Sequence, residues 1–325
     1  FEPFKDHNQT IRTSSSKRKT HPMTPPDDFN PQVVAAETLE PGVRRILAPN
    51  PSPMTYRGTN TYLVGTTDLA VIDPGPDDAT HLQAILNAVG PDQKITHIIV
   101  THTHLDHSPL ARALAKSTGA PVIAFGDATA GRSEAMIKLA KTGMVGGGEG
   151  IDHDFKPDDI VEDGDYINGS DWQLEVIHTP GHIGNHICLA WKDLCFTADH
   201  VMGWASSLVS PPDGDLTDFM ESCAKLEDHD WRIFYPGHGG PVADPAERLD
   251  WLIEHRLNRE ASILELLEEA PATAQELAKA IYTDTPPALL GAATRNVLAH
   301  LIDLVGQSEV SALGKLSENT QFIRL

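Results

Sequence analysis

Residues 98–109, IIVTHTHLDHSP, put three histidines and an aspartate within six positions at the end of an apolar run. In an extended chain alternate side chains share a face, so a continuing strand points His102, His104 and Asp106 one way and His107 another. Ser108 followed by Pro109 has the pattern of a helix N-cap with proline at the first helical position. The stretch therefore reads as a mouth between a strand and a helix, not as core.

Outward from this stretch, short apolar runs alternate with helical patterns. RRILA, TYLVG and LAVIDPG precede a helix near 78–89; ITHIIVT leads through the quoted stretch to a helix near 108–117 and then to PVIAF. A helix around Ala130 to Lys141 runs into the glycine-rich GMVGGGEGIDHDF, a flexible or tightly turned connection. QLEVIHT, HICLAW and LCFTA follow as strands, then a helix near 215–227 and the strand RIFYP. This is the order of an α/β layered architecture. Past Asp244 a long helical pattern, two shorter ones and an alternating end suggest a small winged-helix-like α+β domain. The division expected is 1–30 as a disordered segment or extension, 31–243 as the large domain and 244–325 as the small one.

Composition sets the outer bounds. With 325 residues, 40% hydrophobic and 22% charged, the chain can bury a large core. Cys188, Cys195 and Cys223 are odd in number and lack paired spacing, which fits a reducing compartment and disfavours a disulfide framework or a thiolate zinc site. No run approaches the roughly 18 to 20 apolar residues of a membrane span, and no apolar leader pattern is seen, so the expectation is a cytoplasmic protein without membrane contact. The formal net charge of -21 disfavours general attraction to nucleic acid. The first 22 residues depart from this trend, being basic and serine-rich; they read as disordered, with Met23 a candidate start.

Eight of the 16 histidines lie in or beside short stretches that each end an apolar run: THTHLDHS, HTPGHIGNH, FTADH and YPGHG. Strand ends that each deliver a ligand-type side chain can converge on one edge of a sheet. Imidazole and carboxylate together suit zinc, with iron or manganese as alternatives, and the lack of clustered cysteine favours an open catalytic site.

In this order, THTHLDHS, TPGH, FTAD and PGHG resemble the metallo-β-lactamase superfamily over roughly residues 42–243. The resemblance implies a four-layer αβ/βα sandwich with a dinuclear metal site at one edge. It implies that His102, His104 and His182 hold one metal, that Asp106, His107 and His238 hold the second, and that Asp199 bridges them. His104 stands where the di-iron flavoprotein branch has Glu, and Asp199 looks like the glyoxalase II and phosphodiesterase branches, whereas true β-lactamases generally lack that aspartate. NPSPMTYRGTNTYLVG, GGGEGID and DHVMGWASSLVSPPDGD, with the helical tail, resemble β-lactamase-like hydrolases carrying a winged-helix-like domain. That group includes single-strand endoribonucleases and fungal polyketide thioesterases.

Two cations about 3.5 to 4 Å apart can generate a bound hydroxide near neutral pH and polarise the group it attacks. Asp106 is the candidate catalytic residue as well as a ligand, since its carboxylate can orient that hydroxide. His178, His186 and Asp73 are candidates to orient the ligands from behind. Tyr56, Asn60 and His200 are candidates for the mouth or for packing beside the ligands, and a turn-stabilising role suits Asn60. The tail from 256 to 325 carries six basic residues against nine acidic ones, a poor phosphate-binding face. Its last helix offers Arg295 and His300 as polar readers, and closing the substrate mouth or a homodimer contact fits the tail better than RNA.

The expected activity is a dinuclear zinc hydrolase acting on a small-molecule or carrier-linked ester or thioester. The alternatives are a single-strand endoribonuclease and a mononuclear iron oxygenase of thiols or persulfides.

Overall fold

The computed structural model describes residues 29–147 and 150–325. The expectation of disorder at the N-terminus falls almost wholly outside them.

Two twisted sheets face each other. The first has seven strands in sequence order, β1 (Ala36–Glu40), β2 (Val43–Leu47), β3 (Asn60–Val64), β4 (Asp68–Ile72), β5 (Lys94–Ile99), β6 (Val122–Ala124) and β7 (Asp159–Ile160). It is antiparallel from β1 to β4 and parallel from β4 to β7. The second has five strands, β8 (Tyr166–Asn168), β9 (Gln173–His178), β10 (Ile187–Trp191), β11 (Leu194–Ala198) and β12 (Ile233–Pro236), in the order β12-β11-β10-β9-β8.

Side-chain alternation sorts the strands into three apolar layers. In β10, Ile187, Leu189 and Trp191 face the central core between the sheets, whereas Cys188 and Ala190 face the outer helices. In β4, Ala70 and Ile72 face inward while Leu69 and Val71 face the helices on the other side. Sheets buried on both faces need apolar residues at every position, which is why these strands read as continuous runs. Helices α1 (Ala79–Asn87) and α2 (Ala111–Thr118) pack on the first sheet through Ile85 and Leu114. A short helix, α3 (Glu134–Ala140), follows, and α4 (Leu216–Glu227) covers the second sheet through Phe219 and Leu226. The result is the αβ/βα sandwich expected from the sequence. Each fully buried Leu, Ile or Phe contributes about 1.5–3 kcal/mol by leaving water.

The long helix α5 (Pro245–Glu269) begins against the second sheet, through Leu249, Leu252 and Ile253, and ends in a separate core, through Ile263 and Leu267. That second core holds α6 (Ala274–Ile281), α7 (Leu290–Gly306) and a sheet of β13 (Ala272–Thr273), β14 (Val310–Ala312) and β15 (Gln321–Arg324) in the order β13-β15-β14. Thr273 and Glu276 form a capping box that starts α6 sharply. The stretch Pro287–Gly306 has a mean hydropathy of 1.3, and its Val297, Leu298, Leu301 and Leu304 are buried in this core.

Three local expectations need correction. Strand β5 stops at Ile99, so the alternation rule does not carry into 102–107. Ser108 caps nothing: its hydroxyl donates to Asp152, and α2 starts after Leu110 without a side-chain cap. Strands β1, β7 and β8 were not expected; β1 is a largely exposed, acidic edge, and β7 and β8 are only two and three residues long.

Candidate metal centre

The ligand-type side chains come from loops at one edge of the sandwich, each following a buried strand. The loop after β5 supplies His102, His104, Asp106 and His107; the loop after β9 supplies His182; Asp199 follows β11 and His238 follows β12. Because 102–107 is a turn and not a strand, His107 points into the same space as Asp106. The side-chain donor atoms of His102, His104 and His182 lie within 4.8 Å of one another, and so do those of Asp106, His107, Asp199 and His238. All seven residues are buried.

The hydrogen bonds behind the rings fix which nitrogen faces inward. His182 Nδ1 donates to the Leu208 carbonyl at 2.7 Å, and His238 Nδ1 donates to the Gly58 carbonyl at 3.2 Å. His107 Nδ1 donates to Asp73 Oδ2 at 2.9 Å. Thr101 Oγ1 gives its proton to Asp73 Oδ2 at 2.7 Å, so it must accept from His102 Nδ1 at 3.0 Å. In each ring the outward nitrogen carries a proton and is tied from behind, which leaves Nε2 as the atom that faces the site. His104 turns its Nδ1 inward, 3.0 Å from His182 Nε2.

These spacings suit donors around a shared cation. Two nitrogens at tetrahedral positions, each about 2.0–2.1 Å from one ion, stand roughly 3.3 Å apart. His107 Nε2 and His238 Nε2 are 3.3 Å apart, and His182 Nε2 lies 3.6 Å from Asp199 Oδ2. His102 Nε2, both Asp106 oxygens and Asp199 Oδ1 are buried with no aligned hydrogen bond, a costly arrangement that a bound cation would relieve. The residues fit a pair of metal ions.

Electrostatics divide the cluster. Burial and mutual repulsion hold His102 well below the usual imidazole range, burial and His182 bring His104 to about 3, and burial lowers His182. Neutral imidazole is the ligating form. At His238 burial also opposes the charge, but Asp199 and Asp106 outweigh it and raise the ring to about 10. His107 is likewise raised despite its burial, by Asp106, Asp199 and Asp73. Burial pushes Asp106 and Asp199 upward, yet His107 and His238 hold both well below the usual carboxylate range.

The backbone is shaped around the cluster. Ala198, just before Asp199, and Asp73 adopt positive φ values of 41° and 51°, a region that costs non-glycine residues about 1–3 kcal/mol. Gly237 is required by space: a Cβ there would lie 2.4 Å from Asp199 Oδ1 and 2.9 Å from the His107 ring. Asn60 donates to the carbonyls of Pro236 and Gly239, at 2.9 Å each, and so braces the turn that carries His238.

The remaining candidates stand apart from the ligand groups. His186 packs its ring 5.1 Å from that of His102 and bonds Thr179. His178 stacks on Phe125 and bonds the Gly184 carbonyl; His200 sits behind, against Phe219 and Cys223. Tyr56 stacks on Trp204, which itself lines the mouth. Of the tail's two polar readers, Arg295 pairs with Glu318 at 2.6 Å and His300 is buried.

Sequence reading missed the loop and tail residues that support the site. Ser207 Oγ donates to the Asp199 carbonyl, and the adjacent Leu208 carbonyl orients His182. Buried Arg256, on α5, donates to the Ser207 carbonyl at 2.5 Å and to Asn296 Oδ1, on α7, at 3.1 Å. Only the fold brings 207, 256 and 296 together; ASSLVSPPDGD by itself carries no such signal.

The cluster opens into a cavity of about 440 Å³ that both domains line. The metal-bearing edge forms one wall, with Met54, Met202, Trp204 and Leu208; Tyr282, Pro286, Leu289, Ala292, Ala293 and Asn296 of the tail form the other.

The fold and this edge define a metal-binding hydrolase of the β-lactamase-like type. The chain belongs to the metallo-beta-lactamase superfamily, whose model matches residues 54–252, and the model of the beta-lactamase-associated winged helix domain matches residues 273–316. It is 30% identical to the "Beta-lactamase-like protein 2 homolog" of Drosophila melanogaster, over 84% of this chain and 90% of that one. It is 26% identical to an "Atrochrysone carboxyl ACP thioesterase" of Aspergillus fumigatus, over 79% of this chain and 78% of that one. A beta-lactamase domain protein from Burkholderia ambifaria shares the fold, with a TM-score of 0.75 and 19% identity, over 92% of this chain and 96% of that one.

Proposed function

We propose that this hydrolase cleaves an acyl thioester, small or carrier-linked, with two zinc ions as its cofactors and iron or manganese as the alternatives. The observation that carries the reading is the pairing of a hydrolytic cluster with a largely apolar cavity that ends on it. An acyl chain suits such walls, and the thioester carbonyl then falls at the ligand edge. The thioesterase relative supports the same class of substrate.

In this proposal His102, His104 and His182 hold one cation, Asp106, His107 and His238 hold the other, and Asp199 lies between them. Divalent cations there would lower the pKa of water and polarise the carbonyl. The chain's own part is orientation. Asp73 and the Leu208 and Gly58 carbonyls lock the ligand rings, and Asp106, a buried carboxylate at the same edge, is placed to accept a hydrogen bond from the attacking water. The tail wall excludes bulk water from the acyl group.

The test is hydrolysis of acyl-pantetheine, S-lactoylglutathione and single-stranded RNA by zinc-loaded wild type and Asp106→Asn. Thioester cleavage that collapses in the variant supports the proposal. RNA cleavage alone would replace it with the ribonuclease; protein that is purified without added metal, holds one iron and takes up oxygen with thiols would replace it with the oxygenase.

A further inference from the structure

One polar side chain in the tail wall has a fixed hydrogen-bonding sense. Ala292, Ala293 and Asn296 of α7, with Leu289 at its N-cap, are spaced i, i+3, i+4, i+7, and all line the cavity opposite the ligand cluster. The two alanines leave room, and Asn296 ends the stripe with an amide. Its Oδ1 accepts from the Val209 backbone N–H at 2.9 Å and from Arg256 Nη1 at 3.1 Å. Two donors on one side settle the orientation of the amide, since a flipped side chain would set its NH2 against an N–H and a guanidinium. The Nδ2 hydrogens have no partner among the described residues. Tyr282, Thr285 and Ser206 also line the cavity, but a hydroxyl can turn to donate or accept, whereas the Asn296 amide can only donate.

We propose that Asn296 is a specificity-determining residue, donating from Nδ2 to an oxygen on the acyl group, so that the preferred substrates are oxo- or hydroxy-substituted acyl thioesters and not plain alkanoyl ones. The proposal rests on the acyl-thioester reading above. It gives the appended domain a direct part in recognition: the metal edge handles the reacting bond, and α7 reads the far end of the acyl group. An apolar cavity with an unanswered donor discriminates against a ligand that leaves the donor unpaired.

Asn296→Asp is the informative variant. One carboxylate oxygen can still accept from Val209 and Arg256, so the packing is kept, while the group facing the cavity changes from a donor to an acceptor. Wild type and variant would be compared on pantetheine thioesters of octanoate and of its 3-, 5- and 7-oxo derivatives. Binding of the matching non-hydrolysable amides to metal-free protein would be measured by calorimetry. For wild type, at least one oxo isomer should be preferred to octanoyl by about fivefold to tenfold, the factor of one hydrogen bond, in both kcat/KM and amide binding. In Asn296→Asp that preference, taken as the oxo-to-octanoyl ratio within each protein, should vanish or invert. An oxo preference that is absent in wild type, or that survives the substitution, overturns the proposal. If no thioester is cleaved by wild type, the thioesterase reading fails, and the amide-binding profile still decides the role of Asn296.

Discussion

Replacing Arg256 by methionine separates stability from site geometry. Arg256 is 2% exposed and has no carboxylate partner among the described residues; its guanidinium bonds the Ser207 carbonyl and Asn296 and lies 4.9 Å over the Phe219 ring. The substitution loses two charge-assisted hydrogen bonds, about 1.5–3 kcal/mol each, and a cation–π contact of about 1–2 kcal/mol. Against this, a buried charge costs several kcal/mol in desolvation, which methionine does not incur while still filling apolar volume. The opposing contributions are of the same order, several kcal/mol each, so the midpoint of denaturation should move less than the lost contacts alone would dictate. The metal site should move more, because Ser207 and Leu208 hold Asp199 and His182 from behind. Loss of such support typically weakens metal binding by about 10–100-fold. Competition with a chromogenic chelator measures this directly. Zinc affinity within about twofold of wild type would refute the coupling of the long helix to the metal edge.

Asn60→Ala removes two buried bonds to the turn carrying His238; a loss of about 2–4 kcal/mol is expected in denaturant titration, with a lowered metal content. Gly237→Ala places a methyl group against Asp199 and His107, so the folded variant should retain less metal than wild type on dialysis. Cys188, Cys195 and Cys223 are fully buried, and burial raises the Cys195 and Cys223 thiols. The native protein should therefore resist a thiol reagent that reacts with all three after denaturation.

The sandwich was legible because its strands are buried on both faces. Within HICLAW and LAVIDPG, residues 187–191 and 69–72 are apolar at every position. The ligand residues were legible because each follows such a run. What local pattern could not give is direction: periodicity continued the strand past Ile99, whereas the chain turns there and brings His107 round to Asp106. Nor could it give partners far apart in the chain. Arg256 resembles an ordinary helix-surface residue until the fold buries it beneath the 205–209 loop, and Asn296 is one polar residue in an apolar helix until its oxygen is seen to be occupied.

The most direct measurement is elemental analysis of protein purified without chelator, beside Asp199→Asn. The account predicts two divalent ions per chain in wild type and a clear loss in the variant, with both proteins folded. A wild-type chain that is metal-free and takes up none from excess zinc would contradict it.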